Sequence, residues 1–219
     1  IPHASLAQEF LDRGIPQERL YATGIPVRRA FQEKAAKQEA RARLSLSAEG
    51  KLYLIMSGSM GFGNLGKLID PLLAACGEHD HVAVTCGNNA ALKEALAARY
   101  AQQTQLTLIG YTEEAALYMD ACDVLLTKPG GLTSTEAAVK NVPLVHTAPI
   151  PGCETCNRNF FGQHGLSISG ETPEECAAAA VALAWDVERQ SRMLSAQREW
   201  INPKAADEIC EFVLAQCGG

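Results

Sequence analysis

A glycine-rich segment that follows an apolar stretch could bind an anion. The apolar stretch spans residues 52–57, and the segment contains Gly58, Ser59, Met60 and Gly61. Glycines let the backbone approach a ligand closely. The helical pattern that comes next would point free N–H groups and the positive end of its dipole at that ligand. The segment therefore predicts a phosphate-binding turn.

A second glycine-containing segment follows the apolar run at residues 123–127 and contains Gly130, Gly131, Leu132 and Thr133. Its backbone N–H groups, with the Thr133 hydroxyl, could hold a diphosphate without a metal ion. Glu136 lies one turn further on. Its carboxylate either closes a capping box or accepts hydrogen bonds from two neighbouring ribose hydroxyls, and its spacing favours neither interpretation.

A third loop, at residues 149–160, contains two prolines and a glycine before a helical pattern. Its polar side chains Glu154, Asn157 and Asn159 suit sugar hydroxyls. The loop also holds Cys153 and Cys156 in a C-x-x-C spacing. A zinc site is disfavoured because zinc normally takes four ligands and the sequence has no second such pair. A redox pair and two unlinked thiols both remain open.

Two nucleotide chemistries lack the residues they need. The glycine pattern at 61–66 matches a dinucleotide-binding turn, which expects an acidic residue at the end of the next strand. That strand ends at Thr85-Cys86-Gly87-Asn88, so NAD is disfavoured. The usual Asp-x-Asp clamp for a magnesium diphosphate is also missing. The acids and histidines at 78–81 lie at the opposite edge of the predicted sheet, where we expect a solvated turn.

The elements that must position these loops alternate between strand and helix patterns. Strands are predicted at residues 52–57, 81–86, 105–110, 123–127 and 142–146, and helices at 65–75, around 92–100, at 113–121 and at 133–140. Such alternation predicts a Rossmann-like parallel β-sheet flanked by helices.

The two ends of the chain differ from this alternation. Residues 4–13 and 31–43 look helical. From Pro173 onward we expect a helical C-terminal tail. In that tail Thr172 and Asn202 are the predicted caps of helices that begin near Pro173 and Pro203.

The composition of the 219 residues is that of a folded globular chain, with 47% hydrophobic and 20% charged residues. The net charge of −6 argues against nucleic-acid binding, and no apolar run approaches the length of a membrane span. The eight cysteines lie in apolar segments, which favours buried, reduced thiols and a cytoplasmic location. The first residue is Ile1, so we expect a piece of a longer protein.

The motifs resemble those of family 28 glycosyltransferases, in the branch that transfers a hexose to diacylglycerol. The shared features, in the same order, are Gly24-Ile25-Pro26-Val27-Arg28, the loop at 58–66, the segment Lys128–Thr133 with Glu136, and Pro151-Gly152-x-Glu154-x-x-Asn157. The resemblance implies the C-terminal, donor-binding domain of a GT-B fold at residues 23–219. It makes residues 1–22 the tail of an N-terminal half.

The resemblance also implies a UDP-sugar site without a metal or cofactor. The uracil would lie against the backbone at Tyr111 and Thr112, and Glu136 would hold the ribose. The loops at 58–61 and 130–133 would hold the diphosphate, with Arg28 near the phosphates. Glu154 and Asn157 would face the sugar. The lipid II enzyme of the family carries paired glutamines where this chain has Cys153-Glu154, so glucose or galactose is favoured over GlcNAc.

The resemblance places the general base and the lipid acceptor in the N-terminal half. Transfer would invert the anomeric carbon, and this chain alone would be inactive. Membrane contact, peripheral and at the inner face, would belong to the full-length protein. The alternatives are a non-catalytic nucleotide-sugar-binding half that needs a partner subunit, and an isomerase like UDP-GlcNAc 2-epimerase. His3, His146 and His164 become candidate bases only if the resemblance misleads.

Overall fold

The sheet is parallel throughout the part of the chain that the computed structural model describes, residues 1–56 and 64–217. Six strands form it there: β1 Leu52–Met56, β2 His81–Thr85, β3 Leu106–Ile109, β4 Val124–Thr127, β5 Leu144–His146 and β6 Ile168–Ser169. Their order is β3-β2-β1-β4-β5-β6. The order reverses between β1 and β4, and such a switch point opens a crevice at the carboxyl ends of the strands.

Helices cover both faces of the sheet. Those described are α1 Ala7–Leu11, α2 Arg29–Gln32, α3 Lys37–Arg43, α4 Ile69–Ala75, α5 Ala90–Arg99, α6 Ala115–Ala121, α7 Gly131–Val139, α8 Cys153–Gln163, α9 Pro173–Trp185, α10 Val187–Trp200 and α11 Ala205–Cys217. The central strands are buried along their whole length, as expected of a parallel sheet between two helical layers.

The predicted fold class is confirmed, and each predicted strand overlaps an observed one. Only β6 was missed, because a two-residue strand is too short to show a period. The helical tail is confirmed as well. The predicted cap Thr172 is confirmed, because its hydroxyl accepts a hydrogen bond from the Glu175 N–H at 3.2 Å. The predicted cap Asn202 is wrong by two residues: α11 begins at Ala205, and Asn202 Oδ1 accepts instead from the Lys204 N–H at 2.9 Å, in the turn before the helix.

The prediction of one helix at 31–43 is wrong. The helix ends at Gln32 because Glu33 is extended, with ψ of 142°, and a new helix begins at Lys37. Two tertiary hydrogen bonds replace the lost helical ones. The Ala35 N–H donates to Asp120 Oδ2 at 3.1 Å, and the buried Lys140 ammonium donates to the Glu33 carbonyl oxygen.

The turn at 78–81 was predicted to be solvated, but one of its acidic side chains is buried and hydrogen-bonded. Asp80 is buried. Its carboxylate accepts hydrogen bonds from the N–H groups of Lys51 at 2.7 Å and Gly77 at 2.9 Å. Gly50 packs against this turn with φ of 71°, and a Cβ there would lie 1.9 Å from the His79 carbonyl oxygen. The turn therefore fixes the start of β1, at the edge of the sheet away from the strand carboxyl ends.

The first residues of the chain pack against its last two helices. The His3 ring stacks on Trp200 with centroids 4.7 Å apart. Asn202 Nδ2 donates to the Thr23 carbonyl oxygen at 2.9 Å, and the Tyr21 and Phe212 rings lie 3.9 Å apart. Residues 1–23 and the C-terminal helices therefore form one packed layer.

The cysteine prediction is wrong for half of the thiols. Cys86, Cys122 and Cys176 are buried and Cys76 is intermediate, but the other four are exposed: Cys153, Cys156, Cys210 and Cys217. Within the residues described, none of the helices combines the length and the apolar character that crossing a bilayer requires.

Candidate functional site

A cavity of about 260 Å³ lies beyond the carboxyl ends of β1, β2 and β3. Predicted site residues from three segments line it together: Arg28, Tyr111, Thr112, Leu132, Thr133 and Glu136. Its walls also include Met56 and Thr85, the last residues of β1 and β2. The cavity thus lies where the topology of the sheet predicts a ligand site.

Buried threonines hold the strand ends that form the floor of this cavity. Thr127 Oγ1 donates to the Met56 carbonyl oxygen at 2.9 Å. The sheet register places Met56 beside both Thr85 and Thr127. The carboxyl ends of three neighbouring strands therefore lie level at one edge of the sheet.

The N-terminus of α7 supplies hydrogen-bond donors beside the cavity. Gly130 caps the helix in an extended conformation, and the helix begins at Gly131. The N–H groups of a first helical turn have no partner within the helix, and the first turn of α7 contains no acidic side chain. This helix start can therefore bind an anion through backbone groups and the helix dipole.

Glu136 lies in the second turn of α7, half buried in the cavity wall. Burial raises the pKa of its carboxyl to about 7, and the nearby positive charge of Arg28 acts in the opposite direction. The capping-box interpretation is wrong, because the helix begins at Gly131 and Glu136 is too far along it. The Gly130 N–H donates instead to the Lys128 carbonyl oxygen at 2.7 Å. Glu136 is therefore an acceptor that faces the cavity.

The third predicted loop lies next to the second, but its polar groups make different contacts. Glu154 is buried; its Oε1 lies 2.8 Å from the Lys128 ammonium, and its Oε2 accepts a hydrogen bond from the Ile150 N–H at 2.9 Å. Asn157 Nδ2 donates to the Pro129 carbonyl oxygen at 3.0 Å. Gly131 and Asn157 both line a second cavity, of about 170 Å³. Asn159 is exposed.

Sequence reasoning did not predict the contact that Lys128 makes with the third loop. Its position between a strand and the glycine pair was visible in the sequence. Its ion-pair partner could not be found in the same way, because Glu154 follows a different strand.

The histidines have structural environments. His146 is fully buried, with Nε2 at 2.9 Å from Ser134 Oγ and Nδ1 at 3.1 Å from Ser167 Oγ. Burial lowers its pKa to about 3, so the ring is neutral near pH 7. His164 stacks on Trp200 with centroids 3.5 Å apart, and His3 stacks on the same indole ring with centroids 4.7 Å apart. These contacts account for all three candidate bases.

The first predicted loop is outside the described residues. Gly58, Ser59, Met60 and Gly61 fall within residues 57–63, which the structure does not describe. The preceding residue, Met56, lines the 260 Å³ cavity.

Residues 52–151 match the model of the glycosyltransferase family 28 C-terminal domain. The chain carries a glycosyltransferase family 28 C-terminal domain. The matched region includes β1 to β5, the N-terminus of α7 and most of the 260 Å³ cavity.

A curated relative is the processive diacylglycerol beta-glucosyltransferase of Bacillus subtilis. It is 32% identical over 211 residues, which make up 95% of this chain and 55% of that protein. The chain therefore spans about half the length of the curated relatives that it matches.

Solved structures share the fold at lower identity. The Anabaena protein HepE, in complex with UDP, has a TM-score of 0.66 and 16% identity, covering 98% of this chain and 62% of that one. A UDP-N-acetylglucosamine 2-epimerase has a TM-score of 0.69 and 18% identity. The match covers 99% of this chain and 57% of the epimerase chain. These likenesses support the GT-B type of fold and, at such identity, nothing more specific.

Proposed function

We propose that this chain is the donor-binding half of an inverting hexosyltransferase. The donor is a UDP-sugar, with glucose or galactose as the hexose, and the acceptor is a lipid such as diacylglycerol. The names of the curated relatives support the reaction class, and the UDP bound to HepE supports the nucleotide.

One observation carries the proposal. Predicted site residues from three separate segments line one cavity beside the start of α7. That helix start has N–H groups without a partner inside the helix, and its first turn contains no acidic side chain. The cavity thus joins an anion site to a carboxyl group, Glu136, that can accept ribose hydroxyls. A diphosphate attached to a ribose needs both features.

In the proposed complex each part of the donor has its own partners. The backbone at Tyr111 and Thr112 faces the uracil, and Glu136 accepts from the ribose hydroxyls. The diphosphate lies at Gly130, Gly131 and the first turn of α7, with Arg28 nearby, and we also assign the loop at 58–61 to its binding. The hexose extends toward the third loop, where Glu154 and Asn157 lie.

The chemical step in this proposal is a single displacement. The acceptor hydroxyl attacks C1 of the hexose, the bond from C1 to the diphosphate oxygen breaks, and UDP leaves. The start of α7 stabilises the charge that develops on the leaving diphosphate, so no metal or cofactor takes part. An N-terminal half supplies the general base and binds the lipid acceptor, and residues 1–22 are the tail of that half. That half also makes the peripheral contact with the inner face of the membrane, and the protein is cytoplasmic.

Calorimetric titration of this chain, with a chelator present, tests the donor site. The ligands are UDP, UDP-glucose, UDP-galactose, UDP-GlcNAc and NAD. We expect UDP to bind and NAD not to bind. The variant Glu136→Gln should weaken UDP binding about tenfold or more, which is about 1.4 kcal/mol. The matched control is Glu174→Gln, which removes the same charge from an exposed position in α9 and should leave binding unchanged.

Five results would count against the proposal or one of its parts. Failure of every nucleotide to bind would remove the donor site, and preferential binding of NAD would indicate a dehydrogenase. Hexose transfer by this chain alone would show that the general base is not in another half. Conversion of UDP-GlcNAc without any acceptor would favour the epimerase alternative, and transfer that needs a separate subunit would favour a non-catalytic binding half.

A further inference from the structure

Lys128 and Glu154 connect the two loops that follow β4 and β5. Lys128 comes directly after β4, and its ammonium lies 2.8 Å from Glu154 Oε1. Glu154 lies in the first turn of α8, and its other oxygen accepts the Ile150 N–H at 2.9 Å. The Glu154 side chain is only 10% exposed. This contact is therefore a partly buried bridge between neighbouring loops.

A second bond ties the same loops. Asn157 Nδ2 donates to the Pro129 carbonyl oxygen at 3.0 Å, one residue along from Lys128. The strands that carry the loops are adjacent, since Thr127 pairs with His146. The start of α8 is thus held against the loop that leads into α7, where the proposed diphosphate site lies.

The charges explain why Glu154 needs this partner. A carboxylate buried without a cation is costly, and the group turns toward water or takes up a proton unless it is paired. The Lys128 ammonium supplies the missing positive charge. A carboxylate has about four acceptor positions, and two are used here. In the proposed complex, the hexose hydroxyls use the remaining positions.

We propose that Lys128 is a positioning residue that holds the Glu154 carboxylate where it accepts hexose hydroxyls, and so sets the sugar preference. This inference rests on the proposed function. Lys128 acts through Glu154, and the nucleotide is held by other groups: the first turn of α7, Glu136 and Arg28. Loss of the Lys128 charge should therefore reduce the contribution of the sugar to donor affinity while the affinity for UDP itself stays nearly unchanged.

The experiment compares the dissociation constants of UDP and UDP-hexoses for four forms of this chain. The forms are the wild type, Lys128→Met, Lys128→Arg and Glu154→Gln. The wild type should bind its preferred UDP-hexose more tightly than UDP. Lys128→Met and Glu154→Gln should each reduce this preference at least fivefold, with UDP affinity within twofold of the wild type. Lys128→Arg keeps the cation and should restore most of the preference.

Two further variants separate positioning from general stability. Arg158→Met removes another ion pair of α8, to the exposed Glu171, and should leave the sugar preference intact. The double variant Lys128→Met/Glu154→Gln should lose no more preference than either single variant, because both changes remove the same contact. Thermal unfolding of each form confirms that the comparison is between folded proteins.

The outcomes distinguish this inference from the proposed function. Equal weakening of UDP and UDP-hexose in Lys128→Met would mean that Lys128 acts on the nucleotide, and would overturn the inference. An unchanged sugar preference in Lys128→Met, or a wild type with no preference for any UDP-hexose over UDP, would overturn it as well. In all these cases UDP still binds and depends on Glu136. If the wild type binds no UDP, the proposed function fails and this inference fails with it.

Discussion

At the scale of single residues, Glu136 is a site residue whose chemistry differs from its chemistry in water. Burial raises its pKa to about 7, so near neutral pH the empty site holds a mixture of the acid and the carboxylate. Ionisation of a half-buried carboxyl lowers the stability of the fold, and Glu136 nevertheless occupies a position that lines the cavity. Such a combination is typical of a residue kept for binding.

Glu136→Gln should stabilise the protein at high pH. The folded pKa lies above the ordinary value of 4.5, so the unfolded chain ionises first, and the free energy of unfolding falls as pH rises from about 4.5 to about 7. The variant removes this loss. Allowing for partial exposure, it should be about 1–2 kcal/mol more stable than the wild type at pH 8 and about equal at pH 4. Urea unfolding at both pH values measures this; a pH-independent difference would contradict it.

The same group should make donor binding depend on pH. Ribose hydroxyls donate more strongly to a carboxylate than to a carboxylic acid, so binding should favour the ionised form of Glu136. Affinity for UDP-glucose, whose diphosphate does not titrate in this range, should rise roughly five- to tenfold from pH 6 to pH 8. In Glu136→Gln the affinity should be lower and flat across this range. Calorimetry at three pH values provides the measurement, and a wild-type affinity that falls with pH would refute this role of Glu136.

At the scale of secondary-structure elements, the start of α7 has a glycine that the fold does not require. A Cβ at Gly131 would make ordinary contacts within the described residues, 3.6 Å from Ile25 Cδ1 and 3.7 Å from Asn157 Nδ2. Its backbone is helical, where alanine is more favourable than glycine. A ligand that approaches the backbone gives a reason for glycine here that the fold does not.

Gly131→Ala should therefore separate binding from stability. We expect stability to stay the same or rise by up to about 1 kcal/mol, while UDP affinity falls about tenfold because the new methyl group takes the place of the diphosphate. The matched control is Gly162→Ala in α8, where a Cβ meets nothing within 4 Å; it should gain stability without loss of binding. Melting temperatures and calorimetry of both variants decide the matter, and unaltered UDP binding by Gly131→Ala would argue against the anion site at α7.

At the scale of the whole molecule, a buried ion pair holds the linker between α2 and α3 against the sheet layer. Lys140 Nζ lies 2.7 Å from Asp120 Oδ2, and both side chains are almost fully buried. The same ammonium donates to the Glu33 carbonyl oxygen, and Asp120 Oδ2 also accepts the Ala35 N–H. The pair therefore anchors the chain between α2 and α3 through two backbone groups.

Lys140→Met should be strongly destabilising, because it leaves Asp120 buried without a cation. The expected loss is about 3–5 kcal/mol. The double variant Lys140→Met/Asp120→Leu removes the stranded charge and should recover part of this loss, but not all, since the Ala35 N–H then lacks its acceptor. Denaturant unfolding of the wild type and the variants tests this. A double variant that is less stable than the single one would contradict the assignment.

Much of the fold could be predicted from the sequence because the signals are local. Strand-length runs of Val, Ile and Leu predict buried parallel strands, and Thr172 marks the start of α9 through its own side chain. The break at Glu33 could not be predicted, because Asp120 and Lys140, which compensate for it, are about a hundred residues away in the sequence. The two-residue β6 carries no period at all.

The candidate site, too, was predictable only in part from the sequence. The sequence alone determined which residue types are present at the strand ends: glycines before helices, Glu136 after one of them, and polar groups after the prolines. The tertiary structure decided which of them meet. It placed Arg28, Tyr111 and Glu136 in one cavity, excluded Glu136 from the cap of α7, and paired Glu154 with Lys128. The physical reason is that hydrophobic periodicity and capping act over a few residues, whereas burial and charge pairing depend on the order of strands in the sheet.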